Sequence, residues 1–235
     1  MSGGSRSAGP SGESASFDVF LEGWLARQEH YLDELLCTSE NCNGAGEEDL
    51  QDLVYRVLNH YQQYYEKKSQ LIHQNVTLAF SPPWFSSLER SFLWVAGFKP
   101  SLAFRVVRDS VRDLTPNQAT GMRSLIEVTR MEEKTLNDDM AKIQESVGAP
   151  SWMELARRQD RLVDTEKTEG NVAVRQLNSS LVTVVSNADM LRTRTVARVV
   201  EILNPVQSVR YLIAVAQLQL KVRSLGFSMQ RQSES

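Results

Sequence analysis

Three histidines, two cysteines and a handful of acidic and aromatic clusters are the side chains with spacing worth testing for chemistry in this 235-residue chain. Cys37 and Cys42 lie in a polar loop, and no second Cys or His pair is spaced to complete a zinc site, so reduced thiols are expected. Ser39-x-Asn41-x-Asn43-Gly44 in the same loop imitates the start of a calcium loop. It places Leu50 where the bidentate Glu should stand, which argues against calcium. Asp138-Asp139 is an acidic pair in the middle of a helical pattern, where a solvated face accounts for it. Catalysis needs a base set against a nucleophile or metal, and neither that spacing nor a phosphate-cradling glycine loop is found. The expectation is a non-enzyme with no resident cofactor or metal.

Recognition is the remaining class of chemistry. Tyr61, Tyr64 and Tyr65 could stack nucleobases, but no basic stripe is interleaved with them, and a packed aromatic ridge is the simpler reading. Arg192, Arg194 and Arg198 are flanked by Asp189 and Glu201, as on a salt-bridged helix face. The net charge of -3 points away from a polyanion as main partner, so no direct sequence-specific DNA binding is expected. Phe17, Phe20 and Trp24 form an aromatic stripe that either packs inward or offers anchors to a partner's groove. Gln28 continues that stripe, either as a core amide with an internal partner or as an outward contact.

The elements that position these residues read as helices throughout. Residues 1–15 are rich in Gly, Ser and Ala and are expected to be a disordered tail. From Ser16 to Leu36 apolar residues recur at helical spacing. A second helix follows Glu47-Glu48-Asp49 and is expected to run to about Leu78, with Leu50, Leu53, Val54, Val57, Leu58, Tyr61, Tyr65 and Ile72 inward and His60, Lys67 and Lys68 among its polar remainder. Pro82-Pro83 stops any helix near Phe80, and Ser86-x-x-Glu89 is a capping box opening a short helix of about eleven residues. It is expected to end at Gly97 and to bury Trp84, Phe85, Phe92, Trp94 and Phe98 in the core. A short helix over Ser101–Asp113 follows. Thr115-Pro116-Asn117-Gln118, Ser151-Trp152-Met153-Glu154 and Asn204-Pro205-Val206-Gln207 then each supply a cap for a long helix, with Gly170 as an optional kink and Gly226 near the end of the last one. No apolar run approaches the length of a membrane span, so a soluble, intracellular protein is expected. The fold class that follows is all-α, a largely antiparallel multi-helix bundle with long C-terminal helices, forming one domain over residues 16–227 with a loose tail at 228–235.

The run Pro83-Trp84-x-x-x-Leu88-Glu89-Arg90-x-x-Leu93-Trp94-x-x-Gly97-Phe98-Lys99-Pro100-Ser101 resembles the signature of the plant Delay of Germination domain, shared by seed-dormancy regulators and the C-terminal half of TGA-type bZIP transcription factors. Phe17-x-x-Phe20-x-x-x-Trp24-x-x-x-Gln28, Leu114-Thr115-x-x-Gln118, Ala188-Asp189-x-Leu191-Arg192, Thr195, Ile202-Leu203 and Gln207-x-x-Arg210 extend the resemblance over most of the chain. Ahead of it, the first fifteen residues hold a single Arg6, which leaves no room for a basic region and zipper. The resemblance therefore implies the free-standing branch. Such a protein is a regulator in seed dormancy, germination and abscisic acid signalling, of nucleus and cytoplasm, acting through protein contacts, with type 2C protein phosphatases as the suggested partners and self-association as a further option. Its alternatives are a DNA-associated regulator related to TGA-type factors and a haem-binding sensor. Haem is reported in the family, but His30, His60 and His73 all lie in the first third of the chain and match no ligand position there.

Overall fold

The computed structural model describes residues 10–40, 46–148 and 164–233. Among these described residues eight helices follow in order: α1 (Pro10–Glu40), α2 (Glu47–Gln74), α3 (Thr77–Phe80), α4 (Ser87–Ser91), α5 (Leu102–Ser110), α6 (Pro116–Val147), α7 (Asp164–Ile202) and α8 (Pro205–Ser233). Among the described residues the protein is all-α, as its periodicity requires.

Helix starts and stops are where local chemistry puts them. Thr115 Oγ1 accepts from the Gln118 backbone N–H at 3.2 Å, and Gln118 Oε1 accepts from the Thr115 N–H at 3.0 Å. Asn204 and Gln207 repeat the exchange at 2.8 and 3.0 Å. The two boxes also meet, because Gln118 Nε2 donates to Gln207 Oε1 at 2.7 Å, tying the start of α6 to the start of α8. Helix α2 ends at Gln74 rather than near Leu78. The Asn75 side chain there accepts from the Thr77 N–H and hydroxyl, a turn that competes with helix continuation, and α3 carries the chain on to Phe80 before the two prolines. Helix α1 begins at Pro10, ahead of the Ser16 start read from the pattern, and α7 passes through Gly170 as one helix. The Ser151 capping box, the loop around Asn41, Cys42 and Gly44, and residues 1–9 lie outside the described residues.

Helix α8 is the axis of the bundle and touches α1, α2, α4 and α5, while α6 packs along α7. Tyr211, Leu212 and Val209 of α8 meet Leu35, Val57 and Val199 in the largest apolar cluster. A second cluster joins Ile72, Leu136, Val185, Ala188 and Leu191; a third joins Phe17, Leu21, Trp24 and Leu71. The last helix runs to Ser233 rather than loosening after Phe227. Gly226 is interior to it and buried, so this glycine serves a close approach and not a stop. A Cβ there would stand 2.7 Å from Ser86 Cβ and overlap its hydroxyl.

Candidate functional site

The signature stretch does not form the helix of about eleven residues its capping box suggests. Helix α4 has five residues, and the chain reverses over Trp94-Val95-Ala96-Gly97, where the Trp94 N–H donates to the Gly97 carbonyl at 2.6 Å and the Gly97 N–H to the Trp94 carbonyl at 3.1 Å. Val95 and Ala96 have φ of 43° and 60°. Two successive positive φ values define a type I′ turn, a conformation that Asn-Gly adopts freely and a β-branched residue resists. Tertiary contacts must hold it.

Those contacts come from two buried cations. Lys68 Nζ donates to the Ala96 carbonyl at 2.7 Å and to Asp189 Oδ1 at 2.8 Å. Arg192 donates from Nε to the Phe98 carbonyl at 2.6 Å, from one terminal nitrogen to Asp189 at 2.5 Å, and from the other to the carbonyls of Trp94 and Val95. Four turn carbonyls and one carboxylate thus share two cations, and Lys68 and Arg192 are 4% and 5% exposed. Burial this complete disfavours charge and pushes the Lys68 amine down to about 8, although Asp189 opposes the shift. The guanidinium also lies over the Trp94 ring, and the Trp94 indole N–H donates to Asn137 Oδ1 at 2.7 Å. The two cations of the clamp and the Trp94 indole N–H are thereby engaged with protein, and together they hold the turn.

On the other side of α4 the capping box is itself buried. Glu89 accepts from the Ser86 N–H and hydroxyl, both at 2.7 Å, and from Arg223 of α8 at 3.2 Å. Arg90 fixes the approach by donating to the Phe85 carbonyl at 2.8 Å. The signature aromatics are correspondingly less buried than a hydrophobic hub would require. Trp84, Phe85, Trp94 and Phe98, with Leu88 and Leu93, are half-buried, and Phe92 is 54% exposed because the helix that would have turned it inward stops at Ser91. Ser86, Glu89 and Ala96 are buried in their place.

The opening stripe joins this assembly directly. Phe17 and Trp84 have ring centroids 4.4 Å apart. Trp24 stacks on His60 at 4.4 Å and 9°, and its indole N–H donates to the His60 carbonyl at 2.9 Å. Gln28 is the core amide with an internal partner, donating to the Tyr61 hydroxyl at 2.5 Å. Phe17, Trp24 and Gln28 are each 1% exposed, which leaves half-buried Phe20 as the member of the stripe nearest the surface. Burial against Trp24 pushes the His60 imidazole down to about 4, with the nearby Arg27 charge acting the same way. Tyr61, Tyr64 and Tyr65 form the packed ridge expected, and desolvation raises all three phenols.

The surroundings of the three histidines do not suit an axial haem ligand. His60 is sandwiched by Trp24 and Tyr31, whereas His30 is exposed and so is His73, whose Nδ1 faces the Ser69 carbonyl at 2.7 Å. Among the described residues these three positions do not combine an apolar slot with an axial ligand.

Lys68 and His60 correct the sequence reading, which placed both on the polar face of α2. Lys68 lies three residues after Tyr65 and four before Ile72, and His60 three after Val57, so both fall on the apolar stripe. That spacing was the available signal. By sequence the Asp189–Arg192 pair reads as part of a surface salt-bridged face. It is instead the buried half of the clamp, while Arg194 and Arg198 do pair at the surface, with Glu132 and Glu201.

The chain is similar to known plant proteins. A family model described as Seed dormancy control matches residues 31–109, which include the Lys68 and Trp94–Phe98 parts of the clamp. Protein RESPONSE TO ABA AND SALT 1 of Arabidopsis thaliana is 40% identical over 217 residues, covering 89% of this chain and 94% of that protein. Protein ZW2 of the same plant is 36% identical over 218 residues, 91% of this chain and 97% of its own length. Transcription factor TGA7, also of Arabidopsis thaliana, is 29% identical over 223 residues, but the match spans only 58% of that protein. With relatives this similar matched nearly end to end, the chain belongs to the Seed dormancy control family, the Delay of Germination domain proteins that are also related to TGA transcription factors.

Proposed function

We propose that this protein is a non-catalytic regulator in the seed-dormancy and abscisic acid response class, working through protein contacts in nucleus and cytoplasm. The observation that carries the reading is the near end-to-end match to RESPONSE TO ABA AND SALT 1 and ZW2, set against a match to only part of TGA7. The geometry is in keeping with it, since Lys68, Asp189 and Arg192 of the signature region are engaged in holding a turn. No helix of the described residues is long and apolar enough to cross a membrane. The partners favoured are type 2C protein phosphatases, and no resident cofactor is part of the proposal.

Affinity capture of the full chain from seed extract, followed by calorimetry with a purified type 2C phosphatase, tests the reading. Saturable one-to-one binding supports it, and binding of both the phosphatase and a second copy would add self-association. Sequence-selective nanomolar retention of DNA with no protein capture would replace it with a transcription factor acting on DNA directly.

A further inference from the structure

We propose that the groove between α5 and α6 is a docking site for an acidic amphipathic helix of a protein partner. The proposal rests on the interaction-module reading above and gives it a surface. Helices α5 and α6 are separated by a groove of about 1180 Å³, whose apolar lining is half-buried Leu114 and Ile126 over the buried core side chains Phe104, Val107, Val111 and Met122. That is larger than the roughly 300–1,000 Å³ of a small-molecule pocket, and the cleft is open rather than enclosed.

Its charge is opposite to that of the whole molecule. The chain carries three net negative charges, yet Arg105, Arg108 and Arg112 line one wall and Arg130 and Lys134 the other. The acids present are already engaged: Asp109 pairs with Arg108 at 3.1 Å, and buried Glu133 takes Lys99 at 3.4 Å and the Ser101 N–H at 2.6 Å. Arg105, Arg112, Arg130 and Lys134 are exposed and form no ion pair among the described residues. Four uncompensated cations on the two walls of one cleft, in an acidic protein, form a field that selects an anionic occupant and steers it in.

The floor decides which anion. Phosphate backbones are held by charge and gain nothing from apolar side chains, whereas a helix with an apolar stripe flanked by Asp and Glu matches both floor and walls. Arg130 and Lys134 stand one turn apart on α6, the spacing at which acids on a facing helix repeat.

The test uses the full chain and three fluorescent probes: a synthetic helix with Leu at every third and fourth position flanked by Glu, a scrambled peptide of the same composition, and a short DNA duplex. Anisotropy is read at low and at physiological salt. The expected result is micromolar binding of the amphipathic peptide, weaker in salt, weaker for the scramble, and weakened about tenfold by Arg130→Glu/Lys134→Glu with an unchanged melting temperature. Arg198→Glu, a reversal on α7, serves as the control and should bind normally. Equal binding of the scramble, insensitivity to the paired reversal, or tighter binding of DNA than of peptide overturns the proposal. Captured partners separate this failure from that of the interaction reading: a partner retained by the reversed groove sinks the groove alone, and absence of any captured partner sinks the wider reading while the peptide titration still decides the groove.

Discussion

A Cβ added at Gly97 would stand 2.7 Å from the guanidinium carbon of Arg192 and 2.9 Å from its Nε. The arginine cannot retreat, because Asp189 and three turn carbonyls fix all of its nitrogens. Glycine is required at 97 by this approach and not by φ, since the positive φ values belong to Val95 and Ala96.

Gly97→Ala should therefore lower stability by about 2 to 4 kcal/mol, as overpacking and a broken buried network combine. Ala96→Gly, which relieves a φ of 60°, should change it by less than about 1 kcal/mol, because the released strain offsets the lost methyl and the added unfolded-state entropy. Urea titrations of both variants check the pair. Equal losses would mean that the turn, and not the arginine, sets the constraint.

Lys68 gives the protein an alkaline signature. Its folded-state value of about 8 lies below the ordinary 10.5, so between those values the unfolded chain holds a proton that the folded one has released. Stability should rise across that window by on the order of 2 kcal/mol. The buried tyrosines act the other way, but only above about pH 10, where unfolded phenols ionise and folded ones are held neutral. Melting temperatures from pH 7.5 to 9.5 (roughly the lysine window alone) should climb in the native protein and stay level in Lys68→Met. A level native profile would show that Asp189 keeps the amine charged.

How far the sequence foretold all this depended on whether a feature was local. Capping boxes at Ser86, Thr115 and Asn204 were legible because cap and acceptor lie three residues apart, and all three are formed. That Gln118 and Gln207 reach each other across 89 positions was not, since nothing in either box specifies its distant partner. The Trp94–Gly97 turn misled for the same reason. Val-Ala is a poor pair for positive φ, and the cations that impose it arrive from positions 68 and 192. Phe92 shows the consequence, because a stripe drawn through an assumed helix put an exposed ring in the core.

His60 should make the fold acid-sensitive before its carboxylates do. Its folded value of about 4 lies below the ordinary 6.5, so the stability it contributes is full above pH 6.5 and is lost as pH falls toward 4, by on the order of 2 to 3 kcal/mol at the lower end. Denaturant midpoints between pH 7 and 5, a range in which ordinary carboxylates of about 4 scarcely titrate, should fall in the native protein and hold steady in His60→Phe, which keeps an aromatic ring against Trp24. Parallel slopes in the two proteins would assign the acid effect to other groups.

The opening helix separates folding from partner contact. Trp24 is 1% exposed, stacked on His60 and bonded to its carbonyl, so Trp24→Ala should destabilise by about 3 to 5 kcal/mol, and any affinity it loses will follow from lost fold. Phe20 is half-buried, 5.8 Å from the Phe17 ring, and has room both to pack and to meet a partner. Phe20→Ala should cost only about 1 to 2 kcal/mol, in proportion to the smaller area it buries. Measuring each variant's melting temperature and its affinity for a type 2C phosphatase by calorimetry decides the role of the stripe. Lost affinity in a well-folded Phe20→Ala places the phosphatase on α1, with Phe20 as its anchor. Unchanged affinity in that variant removes α1 from the interface and leaves the cationic groove between α5 and α6 as the next surface to reverse.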